Sequence, residues 1–413
     1  MATIRPFKAI RPDSNLAHLV AALPYDVMNS EEARQMVEGN PYSFLRVDRA
    51  EIELDRNINL YDKKVYEKAR QKLNEMIDNN ILIKDSKPYF YIYSLKMEGR
   101  TQTGLVVCTS IDEYIDNTIK KHEFTREDKE QDRINHVDYC NANTGPIFLT
   151  YKHQEKIDYI IENWTLNHNT CYDFIADDGV EHKAWIIADE EVINDLIEGF
   201  KGINSLYIAD GHHRNASAVK VGLKRRKENP HFTGNEEFNY YLSVLFPNNQ
   251  LKILDYNRVV KDLNGLSTSD FINKLENSFN IEKMDIMYKP EKNHTYGMYL
   301  EGNWYKLTAK DDIIPNDTVG VLDVSILQEQ VLTNILGIKD IRTDDRINFV
   351  GGIRGLSELE KLVDSGLWKV AFAMYPTSVD ELMNIADEGK IMPPKSTWFE
   401  PKLRSGLFIH SLE

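Results

Sequence analysis

The sequence predicts a mixed α/β chain with a carboxy-terminal α/β subdomain, and three observations carry that expectation. Short apolar runs of strand length, KAWIIA and SLYIAD, flank a helix-patterned segment, DEEVINDLIEGFKGI, in the βαβ alternation of a mixed or parallel sheet. Aromatic and polar residues alternate around a Glu-Gly-Arg turn in KPYFYIYSLKMEGRTQTGLVVCTSI, as in a hairpin packed on a core. At 413 residues the chain has room for two or three domains, and 42% hydrophobic with 28% charged residues excludes disordered, collagenous and coiled-coil classes.

Along the chain, Leu23-Pro24-Tyr25-Asp26-Val27 reads as a turn, because proline keeps the preceding residue out of the helical region. Asn29 and Ser30 then cap a brief helix, EEARQMVEGN, that ends at Gly39-Asn40. In YDKKVYEKARQKLNEMIDNNIL the apolar residues Val65, Ala69, Leu73, Met76 and Ile77 fall at three- and four-residue intervals, which predicts an amphipathic helix. The block TIKKHEFTREDKEQDRINHVDYCNANTGPIFLTY is dense in ionisable and amide side chains and ends in the apolar run IFLTY, so it reads as a loop or a site of chemistry. YYLSVLF and LKILDYNRVV flank Pro247-Asn248-Asn249-Gln250 as a predicted hairpin. Beyond residue 260 come a helix (TSDFINKLENSF), a hairpin (HTYGMYLEGNWYKLTA), a helix around VLDVSILQEQVLTNILG and a final α/β portion that includes KVAFAMYP. The expected domains are 1–259, nucleotide-binding and catalytic, and 260–413, whose end, IMPPKSTWFEPKLRSGLFI, holds too many hydrophobic anchors for a loose tail and reads as a closing arm.

Charge narrows the function. Sixty-five acidic against 50 basic residues leave −15, so the molecule as a whole repels nucleic acid and anionic lipid. Cys108, Cys140 and Cys171 lack CxxC spacing, which argues against a disulfide scaffold or a cysteine-built zinc site. The amino terminus carries no secretory pattern and no apolar run approaches the roughly 18 residues of a membrane span, so a cytoplasmic location is expected.

Four segments could carry chemistry. In SLYIADGHHRNASAVKVGLKRRKENP an apolar strand delivers Asp210-Gly211 at its carboxyl end, and His212, His213 and Arg214 open a helix. Such a junction presents free N–H groups to anions, glycine permits close approach, and arginine supplies a fork for phosphate oxygens. Adjacent histidines diverge on a helix, so structural zinc is not expected, whereas Mg²⁺ held by Asp210 and substrate phosphates would need only one or two protein oxygens. The second segment runs from His122 and Glu123 through Arg133 to Asn143 and Thr144. REDKEQDR alone is equally a solvated helix face, but in this setting Arg133 and Asn143 are candidates to grip nucleotide, and Glu123 to take a proton or hold metal. The third is Tyr25-Asp26, a loop carboxylate beside a ring. The fourth places Lys395, Ser396, Thr397, Lys402 and Arg404 among prolines and aromatics, where basic groups would help close an anionic pocket.

Taken together, LPYDV, HEFTREDKEQDR with NANTGPIF, YIADGHHRNASA, DYNRVV and MPPKSTWFEPKLRSGL resemble the bacterial and archaeal family known as domain of unknown function 1015. That resemblance implies a ParB/sulfiredoxin-like nucleotide-binding core, in which a Gly-x-His-Arg signature, here Gly211 to Arg214, binds nucleotide phosphates at a helix start. Sulfiredoxin's reactive cysteine is absent, since position 212 is histidine, and the helix-turn-helix of partition proteins is not apparent. Members of that superfamily resemble kinases of free L-serine that use ATP or ADP. The resemblance thus implies a phosphotransferase making O-phosphoserine, with Mg²⁺, with His213 and Arg214 on phosphate, and with Asp26 as the acidic residue acting on the hydroxyl. The superfamily's serine kinases carry glutamate in that region, which keeps Glu123 open as the base. Tyr25, His122, Lys395, Ser396, Thr397 and Arg404 are the candidate substrate contacts. The expected partners are a small hydroxyl substrate and a nucleotide, without specific DNA or membrane, and with homodimer formation left open. The rival reading is a nucleotide-binding switch or scaffold that binds CTP or ATP and catalyses little.

Overall fold

An eleven-residue strand, Arg100–Ser110, organises the largest sheet in a computed structural model that describes residues 1–413. Leu105, Val106, Val107 and Cys108 are all buried in succession, which a strand achieves only when both of its faces are covered. The sheet runs in the order Ile119–Lys120, Leu206–Asp210, Ile147–Tyr151, Tyr240–Pro247, Arg100–Ser110, Phe90–Met97, Glu181–Ile187, Tyr172–Ile175, with Ile4–Arg5 joining the far end of Arg100–Ser110. Pairing is mixed: Ile147–Tyr151 runs parallel to Tyr240–Pro247 and antiparallel to Leu206–Asp210. One core gathers Leu105, Val107, Leu149 and Ile208 beneath Ile157, Ile161, Leu196 and Phe200 of the helices Glu155–Asn167 and Glu190–Lys201. A second gathers Val20, Ala33, Ala69, Leu73 and Ile409 around the helices Ser30–Met36 and Lys63–Asp78. The first of these helices is closed by a capping box between Asn29 and Glu32, as the Asn29-Ser30 signal predicts.

Two compact units divide the chain. The first comprises Met1–Lys121, Thr125–Leu251 and Pro401–Glu413; the second comprises His122–Phe124 and Lys252–Glu400. The second is built on an antiparallel sheet in the order Phe279–Met284, Asn303–Ala309, Thr295–Leu300, Val370–Ala373, Tyr256–Val260, Ile347–Gly351. Helix Ser357–Asp364 packs Leu359 and Val363 against Val259, Ala371 and Ala373 of that sheet. No helix is long and apolar enough to cross a membrane.

Several expectations change. KAWIIA and SLYIAD do not form a βαβ pair, because Glu181–Ile187 and Leu206–Asp210 are separated in the sheet by four other strands. The strands around Pro247-Asn248-Asn249-Gln250 are not a hairpin. Both edges of Tyr240–Pro247 are already taken, by Arg100–Ser110 and Ile147–Tyr151, and Tyr256–Val260 pairs within the second unit's sheet. The charged block is a loop through Arg126 followed by a helix, Glu127–Cys140, whose outer positions Glu127, Asp128 and Gln131 are exposed while Glu130, Asp132, Arg133, His136, Val137 and Cys140 are buried. The helix expected around VLDVSILQEQVLTNILG is Asp323–Leu327 continued by a wider π turn, Gln328–Thr333, spanned by a Gln328 Nε2 to Thr333 Oγ1 bond of 3.0 Å. The closing segment Pro401–Glu413 belongs with the first unit: His410–Ser411 pairs with Ala142–Asn143, Ile409 with Ile10, and Ser405 with Ala22.

Candidate functional site

Strand Leu206–Asp210 turns directly into helix His212–Glu228 through Gly211, whose φ of 93° lies in the left-handed region. A Cβ there would stand 3.3 Å from Arg214 Nε, so glycine meets both the backbone and the packing requirement. Gly211 has no side chain and makes no side-chain cap at the helix start. Asp210 flanks this turn. Its Oδ1 accepts from Gly211 N at 2.8 Å and its Oδ2 pairs with Lys402 Nζ at 2.8 Å. Burial opposes its ionisation, but Lys402 and Arg214 outweigh burial and hold it well below the usual carboxylate range. His212 is buried and pushed down to about 4 by that burial, against the pull of Asp210, so it is neutral at pH 7. His213 Nε2 accepts from Arg126 N at 3.0 Å, tying the starts of two helices together.

Beside this helix start lies a cavity of about 20 Å³, lined by Tyr25, Asp48, Arg133, His136, Thr144 and Arg214, with Asn143 and Gly145. Helix Glu127–Cys140 supplies Arg133 and His136 from its inner face, where Arg133, His136, Val137 and Cys140 follow helical spacing. The Arg133 guanidinium lies 3.9 Å above the Tyr25 ring. Its Nε donates to Asp132 Oδ2 at 2.9 Å and its Nη2 stands 2.8 Å from the same oxygen, while Asp132 also accepts from Tyr66 Oη at 3.0 Å. Deeper in, Asp48 Oδ1 accepts from Thr144 Oγ1 at 2.7 Å and faces His136 Nε2 at 3.4 Å. Burial works against both charges in this pair. Even so, His136, Ser405 and Arg133 hold Asp48 down to about 2, and Cys140 and Asp48 lift His136 up to about 9. The pair is ionised at neutral pH. Arg214 donates from Nη1 to Pro146 O at 2.8 Å.

Four expected residues, Tyr25, Arg133, Asn143 and Arg214, meet on this cavity. Asn143 uses its Oδ1 on Leu242 N at 3.3 Å and on His410 Nδ1 at 3.1 Å, which fastens the terminal segment beside it. Asp26 is exposed in the short 3-10 turn Tyr25–Val27 and is not part of the lining. Arg404 is buried elsewhere in the first unit, paired with Asp178 and donating from Nε to His182 Nε2 at 3.3 Å. His182 Nδ1 meets Tyr93 Oη at 2.7 Å, and burial with Arg404 pushes His182 down to about 3, so this cluster is a structural lock. His122, Glu123, Lys395, Ser396 and Thr397 belong to the second unit. There the buried His122 accepts from Met392 N through its carbonyl at 2.8 Å. Lys395 is exposed with φ of 61°, its carbonyl taken by Arg258 Nη2 at 3.0 Å, and Ser396 Oγ closes on Pro393 O at 2.6 Å.

Sequence reasoning did not single out Asp48 or His136. The i, i+3, i+4, i+7 series of Arg133, His136, Val137 and Cys140 was the available signal for His136; Asp48, in the short helix Leu45–Asp48, carries no motif. Two residues were expected to hold Mg²⁺, Asp210 and Glu123. Lys402 already neutralises Asp210, and Glu123, the other expected ligand, lies in the second unit.

The family described as "Protein of unknown function (DUF1015)" matches residues 4–325, most of the chain. This protein belongs to that family. No curated protein matches it. Among solved structures it is similar to a free serine kinase in complex with AMP, at 12% identity and a TM-score of 0.38, covering 73% of this chain and 92% of that one. It is also similar to a conserved hypothetical protein from Pyrococcus furiosus (15% identity, TM-score 0.37, 73% and 94% covered). A third likeness is to SbnI with a C-terminal truncation from Staphylococcus aureus (11% identity, TM-score 0.39, 73% and 85% covered).

Proposed function

We propose that this protein is a phosphotransferase that moves a phosphoryl group from ATP or ADP to the hydroxyl of a small substrate, free L-serine, giving O-phosphoserine. One observation carries the reading: a helix start without a side-chain cap, opened by Gly211, adjoins a cavity on which Arg133, His136 and Arg214 converge. Phosphoryl transfer asks chiefly for positioning and charge neutralisation, and this arrangement supplies both. The donor's phosphates take the first-turn N–H groups with His213 and Arg214, and Mg²⁺ arrives as the counter-ion of the nucleotide. Asp26, exposed beside Tyr25, accepts the serine hydroxyl proton as oxygen bonds phosphorus and the donor's bridging oxygen leaves.

Incubation with L-serine and Mg²⁺ plus ATP or ADP, followed by phosphorus NMR, should give O-phosphoserine with equimolar loss of donor. Asp26→Asn keeps size but cannot take a proton, so it should lower kcat by roughly 10²- to 10⁴-fold with nucleotide affinity retained. Nucleotide binding without acceptor-dependent transfer across a panel of small hydroxyl compounds would leave the switch reading in its place.

A further inference from the structure

The proposed reaction does not by itself say how the acceptor is recognised. We infer that the cavity between Arg133 and Arg214 seats the acceptor's carboxylate, so that the substrate class is a small hydroxy acid. This rests on the phosphotransferase reading for the word acceptor, but the site stands on its own geometry.

Arg133 is 8% exposed, and its Nε and Nη2 are committed to Asp132, while its Nη1 donates to no protein acceptor. Arg133 lines the cavity with that nitrogen still available to an acceptor. Arg214 is half-buried. Its Nη1 is pinned to Pro146 O, its Nε is buried without a partner, and the carboxylate nearest in sequence, Asp210, is already paired with Lys402. His136 and Asp48 form a closed pair, and Arg133 has Asp132. The lining is therefore left with one uncompensated cation, Arg214, which matches a monoanion.

Size points the same way. A cavity of about 20 Å³ holds one water-sized group. One oxygen of a carboxylate fills it, and the rest of the acceptor lies toward the cavity mouth. Tyr25 covers one face of the Arg133 guanidinium and leaves Nη1 on its edge for a charge-assisted bond. Gly145 keeps the opposite wall thin, since a Cβ there would stand 2.8 Å from Ser405 Oγ and 3.6 Å from Arg214 Nη1. The helix start remains for the donor's phosphates, with Arg214 between the two anions.

The test compares L-serine, 3-hydroxypropionate, which keeps the carboxylate but not the amine, and ethanolamine, which lacks the carboxylate, by calorimetry and by phosphorus NMR with Mg²⁺ and ATP or ADP. L-Serine and 3-hydroxypropionate should bind and ethanolamine should not. Arg133→Gln should raise KM for serine about tenfold or more with KM for the nucleotide unchanged, and Arg133→Lys, which keeps the charge but not the fork, should fall between. If Arg133→Gln fails to fold, Arg133→Lys against wild type carries the comparison. Ethanolamine phosphorylated as efficiently as serine would overturn the carboxylate seat and leave the kinase standing. Arg133-dependent binding of hydroxy acids without any transfer would do the reverse. Inorganic phosphate that binds through Arg133 while no carboxylate does would also overturn the assignment.

Discussion

His136 and Asp48 are both ionised in a buried place, which makes the pair a reporter of pH. Asp48 is held at about 2 against an ordinary 3.8, so its contribution to stability is present above about pH 4 and lost as pH falls toward 2. His136 is raised to about 9 from 6.5, so its contribution is complete below about pH 6.5 and lost as pH rises through 9. The pair therefore supports the fold most between about pH 4 and 6.5. Urea unfolding midpoints should decline from pH 6.5 to 9 in the wild type, and His136→Gln should flatten that decline; parallel slopes would refute the pairing. Arg214→Ala should weaken nucleotide binding by about 1.5 to 3 kcal/mol, the worth of charge-assisted bonds to phosphate, as read by calorimetry. Arg214 was legible because Asp210 to Arg214 are consecutive and a strand-to-helix junction is a local pattern. Asp48 was not, because its partners Thr144 and His136 reach it only through the tertiary fold.

Between elements, the helices Glu127–Cys140 and His212–Glu228 decide where the cations stand. Ser217 Oγ donates to Glu130 O at 3.0 Å, Lys220 pairs with Glu130, and Lys224 and Arg225 pair with Asp138. Gly222 allows the second helix its close approach, for a Cβ there would meet Phe238 O at 2.5 Å and Ile111 Cδ1 at 2.8 Å. Alanine in a helix interior usually gains up to about 1 kcal/mol over glycine, but a backbone carbonyl cannot swing aside as a side-chain tip can. Gly222→Ala should therefore destabilise by about 1 to 3 kcal/mol in thermal or chemical unfolding, and a stabilised variant would show the contact to be slack. Hairpins at Glu98-Gly99 and Glu301-Gly302 were readable because both turns place two residues at positive φ, a local demand. The supposed hairpin at Pro247 to Gln250 failed because strand partners are chosen by competition among distant segments. The charge-rich helix was obscured for a different reason: its buried face is itself ionic.

For the whole molecule, net charge governs encounters at long range. With −15 overall, duplex DNA should bind only weakly and without sequence preference at 0.15 M salt, and tight selective binding in a gel-shift series would contradict the reading. Composition and charge set expectations about partner classes, but could not reveal that the first unit is discontinuous in sequence. That discontinuity sets an order of events during synthesis. Asn143 waits for His410, Ile10 for Ile409, and Asp210 for Lys402, all contacts to a segment translated after the 149 residues Lys252–Glu400. At about 5 to 20 residues per second the nascent first unit spends many seconds with those positions uncovered. The second unit has time to fold while the first still lacks Pro401–Glu413.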